Sequence, residues 1–236
     1  MKPMTNIFKY TASLIATSLL LSNCALSATQ EYAACANNLA SPIANFCEVK
    51  PRVLWRGSKP DEDEAAWLIK HGVKTIVNLE SLYDDIDTLE DVHLTDTDIY
   101  EVNYFRVRTW EPLYAFAKTE ADEDVIHFLA IARQAKLPLY VHCRAGENRT
   151  GVMVAAYKII IDGQNSPAEI EAVLKEMQSY KGVWSTSTAE YIKELSLRRN
   201  EILQKLKAFT LEQPTQVICK NGKCTSAISI FGTTER

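Results

Sequence analysis

Leu139-Tyr-Val-His-Cys-Arg-Ala-Gly-Glu-Asn-Arg-Thr-Gly151 is the stretch whose reading decides the fold. Leu139 to Val141 is a short apolar run, the mark of a buried strand. Cys143 follows, then five residues, then Arg149, and beyond Thr150 and Gly151 an apolar stretch of helical period begins. The segment reads as a strand, a loop and a helix N-terminus. Such a loop can wrap its backbone N–H groups around a phosphate, with the helix dipole behind them. Cys143 would lie beneath the phosphorus as a nucleophile. Arg149 would close the loop with a two-pronged grip on phosphate oxygens. The backbone of Arg144, Ala145, Gly146, Glu147, Asn148 and Arg149 would line the cradle. With 6 Cys and 10 Arg in 236 residues, this spacing is expected about 0.25 times by chance, so the spacing alone decides little. His142 before the cysteine, Gly146 in mid-loop, Thr150 after the arginine and the strand-to-helix setting give it its weight.

The pattern His-Cys-x5-Arg-Thr resembles the active-site signature of the cysteine-dependent protein tyrosine phosphatase superfamily, in its dual-specificity branch. Upstream, Val53-Leu-Trp-Arg-Gly-Ser-Lys-Pro60 and Gly72-Val-Lys-Thr-Ile-Val-Asn-Leu79 resemble the opening of small bacterial dual-specificity-like phosphatases, some of them periplasmic. The likeness runs over residues 45–210. It implies an α/β fold with a central, mostly parallel sheet flanked by helices. It also implies a metal-independent phosphoric monoester hydrolase without cofactor, acting on phosphotyrosine and, by extension, on phosphoserine or phosphothreonine. A general acid is implied on a mobile loop upstream of the cysteine, where the family usually carries Asp. Here the place is held by Thr109-Trp-Glu-Pro112, so Glu111 is the expected acid and Asp122 the fallback. A Glu serves equally if it is protonated in the closed site. Trp110 is then the hinge or lid of that loop, or simply a core side chain.

The residues fit a two-step reaction: thiolate attack on phosphorus, then hydrolysis of a cysteinyl-phosphate. Arg149, the converging amides and the helix N-terminus all favour the thiolate. Thr150 can donate its hydroxyl to that sulfur. His142 either orients the loop or packs as a strand-end histidine. Arg144 would point its side chain to the rim, towards a second phosphate or an acidic substrate group, or would pair within the protein; Arg108 has the same two readings. His71, His93 and His127 show no metal-ligand spacing, and no metal site is expected.

The first 28 residues read as a signal peptide, with Lys2 and Lys9 before an uncharged stretch from Tyr10 to Ser22. Leu21-Ser-Asn-Cys24 resembles a lipobox, although Asn23 departs from it; ordinary cleavage between Ala25 and Ala28 is the other reading. The localisation expected is periplasmic or secreted, with membrane attachment only if Cys24 is lipidated. If Cys143 stays a free thiol, Cys35, Cys47, Cys219 and Cys224 remain in the exported chain. Asn221-Gly222 between the last two is a hairpin signal that would bring them together, leaving Cys35 for Cys47. Four cysteines permit three connectivities, so that pairing is an expectation. Without Lys2 and Lys9 the formal net charge is −6, and no basic block invites nucleic acid. The partner expected is a phosphorylated protein or a small phosphomonoester.

Four segments are expected: a signal peptide (1–28), an N-terminal arm (29–50), a phosphatase domain (51–210) and a disulfide hairpin (211–236). Strands are expected at 53–56, 74–79, 101–107 and 139–141, and helices at 61–71, 122–135, 150–162, from 166 onward, and at 189–209. Residues 80–99, with eight Asp or Glu, read as an irregular solvated face rather than a calcium loop, since the glycine and terminal glutamate of an EF-hand are missing. Residues 108–118 read as an aromatic-rich loop. Within the same phosphoryl chemistry, an inositol-phosphate or phospholipid phosphatase stands beside the protein phosphatase. Cys143-Arg-Ala-Gly also resembles the loop of rhodanese-like sulfurtransferases, whose Cys-to-Arg interval is typically one residue shorter. The reading outside catalysis is a phosphate-binding module.

Overall fold

The computed structural model describes residues 39–180 and 186–228. The expected signal peptide, Cys24 and Cys35 lie outside the described residues. A seven-stranded sheet runs in the order β1-β2-β5-β3-β4-β6-β7. The strands are β1 (Cys47–Lys50), β2 (Leu54–Ser58), β3 (Thr75–Glu80), β4 (Tyr100–Thr109), β5 (Leu139–Cys143), β6 (Thr215–Lys220) and β7 (Lys223–Ile228). The inner four, β2-β5-β3-β4, are parallel, and β1, β6 and β7 extend the edges antiparallel. The expected mostly parallel sheet is therefore present.

A parallel strand covered on both faces needs apolar side chains at every position rather than alternate ones. In β5, Leu139 and Val141 face one core while Tyr140 faces the other, and all three are fully buried. The first core packs against α4 (Lys118–Gln134), α5 (Asn148–Ala156), α6 (Pro167–Gln178), α7 (Thr186–Leu197) and α8 (Arg199–Ala208). The second packs against α1 (Glu62–Lys70) and α2 (Ile86–Glu90). Asp61 and Ser166 cap α1 and α6 in reciprocal boxes with Glu64 and Glu169. Each such cap stabilises its helix by about 1 kcal/mol.

Several expectations are corrected. The acidic stretch 80–99 is not wholly irregular or solvated: it holds α2, and Asp85 at its start is 1% exposed. The loop 108–118 contains the end of β4 and the turn α3 (Leu113–Phe116). The single helix at 189–209 is two, α7 and α8, separated at Arg198, which turns inward to pair with Asp122. The arm carries β1, and Cys47 on it is disulfide-bonded. The hairpin is built as expected: Asn221 and Gly222 both take positive φ, and Cys219 faces Cys224 across it in a disulfide with the Cα atoms 3.9 Å apart. It does not stand apart, since β6 pairs along β4.

Candidate active site

Cys143 ends β5 at the edge where the parallel strands give way to loops. It is buried and, among the described cysteines, is the free one. The loop that follows has its carbonyls tied back one by one. Lys59 donates its backbone N–H to the Arg144 carbonyl at 3.2 Å, and Asn45 Nδ2 donates to the Ala145 carbonyl at 2.9 Å. Arg56 Nη2 donates to the Gly146 carbonyl at 2.5 Å and, more weakly, to that of Glu147 at 3.4 Å. In a trans peptide the N–H points opposite to the C=O. Carbonyls turned outward therefore leave the amides of the loop to face its inner side. The start of α5 adds to them. Glu147, its N-cap, makes no side-chain cap, so the first-turn N–H groups keep their capacity to bind an anion.

Two glycines make the loop possible. Gly146 sits at φ +69, a region that disfavours side chains. A Cβ there would lie 2.3 Å from the Gly57 backbone. A Cβ on Gly57 would in turn lie 2.3 Å from the Tyr140 hydroxyl, which donates to the Ser58 carbonyl. The loop apex thus rests directly on the end of β2.

Arg149, in the first turn of α5, donates to the Leu79 carbonyl at 3.3 Å. Its Nε lies 3.4 Å from Glu111 Oε1. The expected acid and the expected phosphate-gripping arginine therefore meet. Glu111 keeps 45% of its side chain in solvent, which leaves it room to move. Beside it opens a cavity of about 300 Å³, lined by Pro112, Tyr114, Phe116, Asn148 and Val152 among others. Thr150 is fully buried, and its hydroxyl makes no hydrogen bond among the described residues. Trp110 is 55% exposed and stands edge-on to Phe116, so the core alternative is excluded.

His142 is fully buried, stacked on Tyr140, with Nε2 2.9 Å from Asp85 Oδ2. Lys59 Nζ reaches the other oxygen of Asp85 at 3.1 Å. Burial works to raise the Asp85 pKa, but His142 and Lys59 outweigh it and hold the carboxyl below its ordinary value. Arg106 braces the segment that delivers Asp85, bonding Asp84 and the carbonyls of Glu80, Ser81 and Tyr83. His142 is thus fixed in orientation immediately before Cys143.

The fallback acid is engaged elsewhere. Asp122 is buried and held by Arg198 and the Tyr191 hydroxyl, as a structural anchor of α4. Arg144 is exposed at the loop rim and makes no ion pair among the described residues. Arg108 lines a different cavity of about 460 Å³ with Asp84, His127 and Glu212, which no cysteine-loop residue borders. Sequence reading missed Asn45, Arg56, Lys59 and Asp85. The Trp-Arg-Gly-Ser segment was the available signal for Arg56, because a lone arginine inside an apolar strand needs a reason to be there.

Residues 41–194 match the model of a family described as DSP-PTPase phosphatase fused to NAD+ kinase. The chain is 31% identical over 107 residues to probable NAD kinase 2, chloroplastic, of Oryza sativa, covering 44% of this chain and 10% of that protein. It is 28% identical over 143 residues to the dual specificity protein phosphatase TpbA of Pseudomonas aeruginosa, covering 58% of this chain and 55% of TpbA. The chain thus spans about half the length of TpbA and a tenth of the plant kinase. The crystal structure of a TpbA variant from P. aeruginosa in complex with phosphotyrosine superposes with a TM-score of 0.52 at 22% identity, over 70% of this chain and 91% of that one. The catalytic core of the Saccharomyces cerevisiae PP-IP phosphatase Siw14, in complex with citrate, gives 0.50 at 18%, over 72% and 98%. These likenesses support the fold.

Proposed function

The chain belongs to this family of DSP-PTPase phosphatases, and from that premise we propose that it is a phosphomonoesterase that hydrolyses phosphotyrosine through a cysteinyl-phosphate intermediate. The observation that carries the reading is the free thiol of Cys143 at the base of a loop whose carbonyls are tied outward. In the first step the thiolate attacks phosphorus, the P–O bond to the leaving group breaks, and Glu111 gives that oxygen its proton. Arg149 and the loop amides balance the equatorial oxygens, which is where positive charge is needed, so no metal ion is required for the step. In the second step water attacks the cysteinyl-phosphate, Glu111 takes a proton from it, and the thiolate leaves towards the Thr150 hydroxyl. His142, held by Asp85, keeps the strand end in register with the loop.

Phosphoserine and phosphothreonine peptides are slower substrates in this reading. The exposed Arg144 favours a second reading, an inositol-phosphate or phospholipid phosphatase, because a rim cation can meet a second phosphate. An exported location accords with the Cys219–Cys224 disulfide, since such bonds persist in oxidising compartments.

Phosphate release separates the possibilities. Turnover of a generic aryl phosphate in the presence of EDTA is expected, and its absence would leave the sulfurtransferase and the phosphate-binding module. A panel of phosphotyrosine peptides and inositol phosphates then sets the substrate class. Preference for the inositol phosphates, lost on Arg144→Ala, would displace the phosphotyrosine reading.

A further inference from the structure

Arg56 sits in the middle of β2 with its residue 0% exposed. An arginine so placed is costly, because a buried cation loses its hydration and is normally matched by a carboxylate. Arg56 makes no ion pair with a carboxylate among the described residues. Its Nη2 instead holds the carbonyls of Gly146 and Glu147, at the apex of the cysteine loop. Its flat face lies over the ring of Tyr180, 3.6 Å from the centroid. Nε and Nη1 find no partner among the described residues. Burial presses the guanidinium's pKa down, and Tyr180, Glu176 and Cys143 act in the opposite direction; in the β2–β5 register Arg56 stands opposite Val141, two residues before Cys143.

We propose that Arg56 is a positioning residue for the phosphatase reaction, fixing the loop apex in its anion-binding shape and setting a buried positive charge behind the loop that follows Cys143. The inference rests on the phosphatase reading above. Both carbonyls are met by one nitrogen, Nη2, of a guanidinium whose plane is set by its contact with Tyr180, a fixed orientation that the rotatable ammonium of a lysine would not reproduce. Tyr180 keeps the fork flat against the loop by a cation–π contact. A residue that only filled space would show neither the directed contacts nor the missing counterion.

Arg56→Met keeps most of the volume and removes both the fork and the charge. Its folding is checked by circular dichroism and urea unfolding. Three readouts follow: kcat and KM on p-nitrophenyl phosphate, binding of orthovanadate, and the pH midpoint of Cys143 alkylation by iodoacetamide. The fall expected in kcat/KM is about 10²-fold, the scale of a small misplacement of catalytic groups. Most of it should lie in kcat, with weaker vanadate binding and an alkylation midpoint moved to higher pH. Arg56→Lys, which retains charge, should recover the alkylation midpoint more fully than turnover. It also stands in if the methionine variant does not fold. A folded variant within threefold of the wild type in turnover, vanadate affinity and alkylation midpoint overturns the proposal. Alkylation and vanadate binding need no turnover. A wild type that binds vanadate without hydrolysing phosphate would therefore defeat the phosphatase reading while still testing Arg56.

Discussion

At the scale of single residues, the proposed role most open to test is that of Glu111. Its carboxylate is drawn towards Arg149 yet remains nearly half in solvent, a position from which it can swing to a leaving oxygen. A general acid matters in proportion to how poor the leaving group is. Glu111→Gln should slow phosphotyrosine hydrolysis by about 10²- to 10⁴-fold, and an activated aryl phosphate far less; steady-state kinetics on the two substrates checks this. Equal slowing of both would remove Glu111 from the role. Asp122→Ala should instead lower stability in urea by about 3 kcal/mol, the low end for breaking a buried pair, because its partners are Arg198 and Tyr191. Two other carboxylates shift stability in opposite directions. Burial, aided by Glu123, pushes Asp124 up to about 7, so the folded state takes up its proton first. Stability from this group falls as pH rises from about 4, the unfolded value, towards 7. Asp85 is held below its ordinary value, so its contribution is present above about pH 4 and is lost as pH falls further. The urea midpoint measured against pH should rise at pH 8 in Asp124→Asn and lose its acid-side decline in Asp85→Asn. Cys143 and Arg149 stood out by their spacing in the loop, and Glu111 was suggested by the resemblance to the phosphatase superfamily; the structure brings Glu111 to Arg149. Asp85 was not, because one buried carboxylate among Asp84, Asp87 and Asp91 looks like its neighbours until Lys59 and His142 come to it from distant parts of the sequence.

At the scale of elements, the cysteine loop depends on contact between two glycine backbones. Gly146→Ala meets both an unfavourable φ and the Gly57 backbone at 2.3 Å. The expected cost is about 2–4 kcal/mol, combining left-handed strain with overpacking, together with loss of vanadate binding by calorimetry. A stable variant that binds vanadate normally would show that the apex does not rest on β2 as described. The hairpin offers the reverse case. Replacing Cys219 and Cys224 together by Ala opens a very short loop, so about 2 kcal/mol of stability should be lost. Turnover should be unchanged, because β6 and β7 lie at the sheet edge away from Cys143. Strong loss of turnover would mean the edge communicates with the site. Most strands were legible from apolar runs and turn chemistry, and Asn221-Gly222 fixed the hairpin outright. The break between α7 and α8 was not, since Ile192, Leu195, Ile202 and Leu206 keep one buried face across it. Only the tertiary pull of Asp122 on Arg198 marks the place.

At the scale of the molecule, the sheet order places the candidate catalytic parts at one end. β5 lies between β2 and β3, so Cys143 is flanked by the strand that ends in Gly57 and Ser58 and the strand that ends in Leu79 and Glu80. Arg56 reaches the loop from one neighbour, and the Leu79 carbonyl receives Arg149 from the other. The crevice at the C-terminal ends of parallel strands is where such folds commonly bind ligands, and here the loop, Glu111 and the buried His142–Asp85 pair all gather there. That convergence is a property of topology, and no segment of sequence contains it. The central claim is that phosphate passes through Cys143, and the most direct measurement is acid quenching during turnover of a phosphotyrosine peptide, followed by mass spectrometry of the fragment that contains residues 139–149. A mass increase of one phosphoryl group located on Cys143, absent in Cys143→Ser together with turnover, is the result expected; undiminished phosphate release by a folded Cys143→Ser variant would contradict it.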